Sequence, residues 1–335
     1  MGELFKELTD STHIKVCLSS RPWVVFEDIF NNCPNLKLQN LTHRDIEQYV
    51  RDKFNQNSAF LKLTSKEPVA APALLEEIVK KADSVFLWVK LVVRSLLQGI
   101  RNRDDGADRS EQLHRLPREL KPLYRRLLDL IEPNERWASQ AIQILRCNRE
   151  LSSLPTDDPS TIGMRVRPLT ISEFSLAMGE TLHTSSTQNM TRRDFQLKCE
   201  DTKARLTARC AGFLEVSNIS GTSVMGPGSL IQYFHRTARD FLESDEVWAK
   251  LQLGTSNTNF NPNVSMMRSC LWYIKIQITF SAELAHNFVQ CDVEAAPHVA
   301  AFMAYAFQAD SHTTSRGTQT DLVDRLNDLI TKYHM

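Results

Sequence analysis

The chain has nine histidines, seven cysteines and 40 acidic residues, and their spacing excludes most enzyme chemistries. No H-E-x-x-H occurs, and none of the cysteines forms a C-x-x-C pair, so the usual zinc frameworks are absent. There is no G-x-S-x-G nucleophile elbow, and no two carboxylates are spaced as an acid and base pair. A phosphate loop needs G-x-x-x-x-G-K-[ST] between a strand and a helix, so that backbone N–H groups and a lysine surround the phosphates. Gly221 and Gly226 have the glycine spacing, but Pro227 and Gly228 follow, and no helix comes next. No apolar strand ends in paired acidic residues that would hold Mg²⁺. The sequence therefore predicts no stand-alone nucleotide hydrolase.

Three places retain residues that suit ligand recognition. "IKVCLSSRPW" (14–23) runs from β-favouring residues into Arg21, whose planar guanidinium suits phosphate oxygens. "ADSVFLWV" (82–89) carries Ser84, Phe86 and Trp88 at the start of the most apolar stretch. "LIQYFHRTARDFL" (230–242) sets His235 where a strand meets a helix start. Taken alone, each has a plain structural reading. Arg21 is a strand-end arginine paired with Asp28 or Asp45, His235 is a satisfied, partly buried histidine, and Phe86 and Trp88 are core aromatics.

The elements that must position them read as mainly helical. Ile14–Leu18 predicts one short buried strand, ended by Pro22. Thr42 predicts a helix N-cap, with Leu41 and Ile46 as a hydrophobic staple and Ile46, Tyr49, Val50 and Phe54 on one face. Leu74 to Ala82 keeps helical period, and from Val85 the run is apolar nearly all round, predicting the most buried helix. Helices are expected over Leu120–Ile131 and Trp137–Leu145. Thr170 and Glu173 form a capping box, with Leu169 and Phe174 as its staple. A helix then passes through Gly212 into a strand at Phe213–Val216, a Gly-rich turn and a returning strand "LIQYFH". "RTARDFLESDEVWAKL" predicts a helix, and the segments 264–310 and 320–333 are helical. Helix, helix, helix, strand, turn, strand is the order of a winged helix.

Bulk properties exclude other classes. At 335 residues, with 42% hydrophobic and 24% charged, the chain can bury a core without disulfides or metals. Lys+Arg and Asp+Glu are both 40, so no global basic field draws nucleic acid or anionic lipid. Seven scattered cysteines fit reduced thiols and a cytoplasmic location. The N-terminus carries no apolar signal core. Val85–Leu97 is interrupted by Lys90 and Arg94 and is short of the roughly 20 residues a bilayer requires.

Taken in order, "IKVCLSSRPW", "LTHRDIEQYVRDKF…LLEEIVKKADSVFLWVKLVVRSLL" and "LIQYFHRTARDFL" resemble the fungal NACHT-type STAND NTPases, relatives of the NLR immune receptors. The resemblance covers roughly Leu4 to Leu251. It implies that Arg21 is the sensor of a terminal phosphate, that Ser84 and Phe86 are adenine contacts, and that His235 holds the diphosphate in the resting state. Ser84 stands where the family usually has glycine, and Phe86 where plant and animal relatives carry proline. The family's phosphate loop and acidic Mg²⁺ motif would lie upstream of Met1. The resemblance thus implies the C-terminal part of such a protein. Its expected parts are a remnant of the nucleotide-binding domain (1–38), a helical lid (39–115), a winged helix (116–250) and a helical C-terminal region (264–335).

The function so implied is regulatory: control of a nucleotide-dependent switch in self/non-self recognition or cell-death signalling. Its partners would be nucleotide-binding and effector domains and other copies of the chain, with ATP or ADP and Mg²⁺ in a full-length relative. Two other classes are weighed against it. A DNA-binding winged helix would use Lys203, Arg205 and Arg209 on "DTKARLTARC", but the neutral chain lacks the broad basic footprint. A nucleotide-independent scaffold would use the same surfaces for protein contacts only.

Overall fold

The computed structural model describes residues 8, 13–19, 24–30, 33–34, 36, 38–82, 85–101, 116–131, 135–154, 166–179, 190–218, 226–283, 288–309 and 316–333. The described chain is mainly helical, with one two-stranded sheet. It divides into two compact units, Met1–Val93 and Arg94–Met335.

The first unit contains α1 (Val24–Phe30), α2 (Leu38–Asn55), α3 (Ser58–Lys66) and α4 (Ala70–Lys81). It also holds the first turns of α5 (Phe86–Arg101). Helix α2 buries the expected face: Ile46, Val50 and Phe54 are shielded from solvent. It begins at Leu38, however, so Thr42 lies inside the helix rather than capping it, and Leu41 is exposed. Nothing between Pro34 and Thr42 breaks a helix, so helical structure propagates back past the expected cap. Asn57 does cap α3, its Oδ1 accepting the backbone N–H groups of Ala59 and Phe60. The rings of Phe54 and Phe60 meet edge-on, 4.8 Å apart.

The strand expected at Ile14–Leu18 does not form. Residues 14–19 adopt no regular structure, and Ile14 and Leu18 are 44% and 45% exposed. A strand is a property of a pair, and among the described residues no partner strand lies beside this segment. β-Favouring side chains alone cannot bury it.

The second unit holds the rest of α5, then α6 (Leu120–Asp129), α7 (Glu135–Ser152), α8 (Ile171–Ala177) and α9 (Arg192–Arg209). Strands β1 (Leu214–Ser217) and β2 (Leu230–Tyr233) follow. After them come α10 (Arg236–Leu242), α11 (Asp245–Ser256), α12 (Pro262–Glu283), α13 (Phe288–Ala309) and α14 (Arg316–Tyr333). The apolar run from Val85 becomes α5 as expected, with Trp88, Val89, Leu91, Val92, Val93 and Leu96 all buried. The segment after β2 is two helices rather than one. Glu243 ends α10, and Ser244, in extended conformation, precedes α11.

Strands β1 and β2 pair antiparallel, with Leu214 opposite Tyr233 and Ser217 opposite Leu230. The other edge of β2 is covered too. Thr170 bridges Leu230, Leu169 O accepts from Ile231 N at 2.9 Å, and Ile171 N donates to Ser229 O at 2.7 Å. The start of α8 is thereby sewn to the hairpin. The capping box is present as expected: Thr170 Oγ1 accepts from Glu173 N, and Glu173 Oε2 accepts from Thr170 N in return. Behind it, α8, α9 and α12 enclose an apolar cluster of Leu176, Phe195, Trp272, Ile276 and Phe280.

Helix α9 ends where Ala211 and Gly212 turn left-handed, at φ 45° and 87°. A Cβ on Gly212 would lie 2.9 Å from a guanidinium nitrogen of Arg94. Gly212→Ala should therefore destabilise the second unit by about 1–3 kcal/mol. Urea melts of this variant and of Gly226→Ala test the point. A Cβ on Gly226 would meet nothing within 4 Å, and Gly226 is not among the residues with positive φ, so that midpoint should be unchanged.

Candidate functional site

Of the four residues singled out for nucleotide contact, Arg21 and Ser84 lie outside the described residues. Phe86 opens α5 in the first unit, half-buried, with its ring 5.1 Å from Tyr49 and tilted by 57°. That is the geometry of an ordinary aromatic pair in an apolar layer. His235 belongs to the second unit.

His235 is the N-cap residue of α10 and is solvent-exposed. Its backbone is extended, and its Nδ1 accepts the N–H of Thr237 at 3.1 Å. The same nitrogen lies 2.8 Å from Thr237 Oγ1, which in turn lies 2.8 Å from the Tyr124 hydroxyl. A nitrogen that accepts a backbone N–H carries no proton, so in the neutral ring the proton sits on Nε2. Tyr124 reaches this chain of bonds from α6. Its ring packs 5.8 Å from Phe213 and 5.5 Å from Phe241, and those two stack at 12°. Burial raises the Tyr124 hydroxyl above its ordinary pKa, and the bond to Thr237 partly offsets this. An exposed histidine thus stands on a rigid aromatic base at the junction of β2, α10 and α6.

A second polar cluster, unforeseen in the sequence, is more deeply buried. Glu173 uses Oε2 to accept both the N–H and the hydroxyl of Thr170, at 2.9 and 2.7 Å. Its Oε1 faces His298 Nε2 at 3.2 Å, with the side chains only 13% and 11% exposed. His298 comes from α13, beside Pro297 inside that helix, and stacks on Tyr273 of α12 at 4.1 Å. Ser269 of α12 donates to the Glu173 carbonyl at 2.6 Å. Burial pushes the Glu173 carboxyl up, but the bonds from His298 and Thr170 outweigh it, and the net pKa is below the ordinary value. Close by, Asn148 donates to the Tyr305 hydroxyl at 2.9 Å and to the Arg167 carbonyl at 3.0 Å. The cluster ties α7, α8, α12 and α13 together. The one sequence signal for it was His298 itself, a lone imidazole within the apolar "AAPHVAAFMAYAF".

A third pairing is peripheral. Glu243 accepts from Arg149 at 2.6 Å and from the Tyr233 hydroxyl at 2.9 Å, anchoring the end of α10 to α7. Burial, then the neighbouring Glu243, drives the Tyr233 pKa up. Cys17, Cys33, Cys147, Cys199, Cys210 and Cys270 are free thiols. Among the described residues no three His, Cys, Asp or Glu side chains gather as a metal site, and no helix is long and apolar enough to cross a membrane.

Residues 130–283 match the family model of a domain of unknown function, DUF7791. No curated protein and no solved structure matches the chain. The matched residues contain α7 to α12, including His235 and Glu173, whereas His298 and Tyr305 lie beyond them.

Because the Glu173 pKa is lowered on folding, its contribution is present above the unfolded-state value and is lost as pH falls through the folded value. Wild-type stability should therefore drop on acidification through the range below the ordinary carboxyl pKa. Glu173→Gln should be less stable at neutral pH by about 1–3 kcal/mol and should show a shallower acid dependence. Urea midpoints measured between about pH 7 and pH 3 check both.

Proposed function

We propose that the chain is the regulatory part of a fungal NACHT/STAND-type switch, in which a helical lid and a winged helix restrain a nucleotide-binding domain. The observation that carries this reading is the placement of His235. It lies two residues past the end of β2, caps α10, and is braced from α6 through Thr237 and Tyr124. With Nδ1 spent on the cap, Nε2–H is the group left for a ligand, a suitable donor to a diphosphate oxygen. The winged-helix assignment is supported by the element order. Helix α7, the bridging residues 169–171, helices α8 and α9, and the hairpin β1–β2 follow one another as that fold requires.

In this reading the domain works by differential binding. A bound diphosphate favours the closed state through His235, and exchange to a triphosphate releases it. Nucleotide, with Mg²⁺, would be held largely by the partner domain, and the chain would not be an enzyme alone. Its other partners would be effector domains and further copies of itself, in the cytoplasm.

The DNA-binding alternative is weaker. Arg205 is paired with Asp201 at 2.9 Å, and Arg209 lies over the Trp137 ring at 5.5 Å. That leaves Lys203 as the one cation of the three suggested contacts with no such engagement on α9, too little for a phosphate footprint. A pure scaffold would use His235 as a cap but leave its exposed Nε2–H without a task.

The test uses a chimaera, with the chain joined behind the nucleotide-binding domain of a NACHT protein, and reads the release of a fluorescent ADP analogue. His235→Asn preserves a capping oxygen but removes the ring. It should leave the melting temperature unchanged and speed ADP release about tenfold. Unchanged release would overturn the proposal. So would ATP hydrolysis at enzyme rates by the chain alone, or strongly salt-dependent binding to duplex DNA.

A further inference from the structure

A groove of about 700 Å³ lies between the C-terminal half of α7, helix α11 and the turn leading into α12. That volume falls within the range of ligand sites. Among the described residues, the only charged side chains lining it are Arg146 and Glu150, and these neutralise each other at 2.6 Å. The Arg146 guanidinium also covers one face of Trp248, 4.0 Å from its centroid.

The rest of the polar lining is mainly amide, including Gln143, Gln252, Asn259, Asn261 and Asn263. Two of these amides have their oxygens committed inside the protein. Asn261 Oδ1 accepts the N–H groups of Asn263 and Val264 at 2.9 and 3.3 Å, capping α12. Asn263 Oδ1 accepts the Cys147 thiol at 3.0 Å, and burial holds that thiol protonated by pushing its pKa up to about 12. Each amide therefore keeps its NH₂ group as the end left for a ligand. Leu151, Leu154 and Phe260 add apolar lining to the same groove.

Gln143 is turned the other way: its Nε2 donates to Leu251 O and Thr255 Oγ1, both at 3.0 Å, and its Oε1 is left as an acceptor. A ligand here must therefore supply uncharged acceptors and donors, with apolar groups beside them. Phosphates do not fit, because no uncompensated cation among the described residues lines the groove. A sugar ring fits less well, because Arg146 already covers one face of Trp248, and Leu151, Leu154 and Phe260 offer its hydroxyls no partner. A main chain supplies both carbonyls and N–H groups, and apolar side chains suit the rest of the lining. We propose that this groove binds an extended, uncharged peptide segment, with Asn261 and Asn263 donating to its carbonyls and Leu151, Leu154 and Phe260 receiving its apolar side chains.

The experiment pans a phage-displayed library of random heptapeptides on the full chain. Enriched peptides are then synthesised, and their affinities are measured by fluorescence polarisation. Enriched sequences should be apolar and uncharged. Asn261→Asp keeps the oxygen that caps α12 but replaces the donor with an anion, so it should weaken binding about tenfold or more at unchanged melting temperature. Asn57→Asp makes the same chemical change at the α3 cap and should leave affinity as it was. The proposal fails if no peptide is enriched, or if Asn261→Asp binds the enriched peptides as the wild type does. It fails equally if a glycan array, and not the peptides, gives Asn261-sensitive binding.

Discussion

The second unit depends on one buried carboxylate. Glu173 is almost wholly shielded, and an ionised group there is costly unless every lone pair is used. One oxygen closes the capping box with Thr170, and the other takes a bond from His298. The first fixes where α8 begins, and so where residues 169–171 run along β2. The second fixes the rotation of α13, because only one face of that helix carries His298 toward α8. Ser269 bonds the carbonyl of the same residue, adding α12. Three helices and the edge of a hairpin are therefore positioned by contacts to a single glutamate.

The same economy operates at His235. A side chain that would be a free ligand donor in an unfolded segment is used locally as a cap, and that use decides which nitrogen remains. The aromatic layer of Tyr124, Phe213 and Phe241 beneath it leaves little room for the cap to shift. In the groove beside α12, Asn261 follows the same rule: its oxygen serves the helix, and its nitrogen is left over.

What was legible in the sequence was what is decided within a few residues. The Thr170–Glu173 box, the passage from helix to strand around Gly212 and the buried run after Val85 all appear where local pattern puts them. What was not legible depended on distant partners. The strand at Ile14–Leu18 needs a neighbour that the described chain does not provide. The cap at Thr42 lost to helix propagation from Leu38, and the break at Ser244 was hidden by continuous helical residues on both sides. Local pattern gives Glu173 a capping role alone, because its second partner lies far along the chain on α13. Pattern singles out His235, but its cap and its link to Tyr124 depend on the fold.

Through His298 and Glu173, α13 belongs to the same cooperative unit as α7 to α12. That unit therefore extends past the residues that match the family model. Native-state hydrogen exchange across 130–309 tests this most directly. Amides of α8, α12 and the second half of α13 should open together with one free energy, and His298→Ala should lower protection in all three. Exchange of α13 at much lower free energy than α8 and α12, unaffected by that substitution, would contradict it.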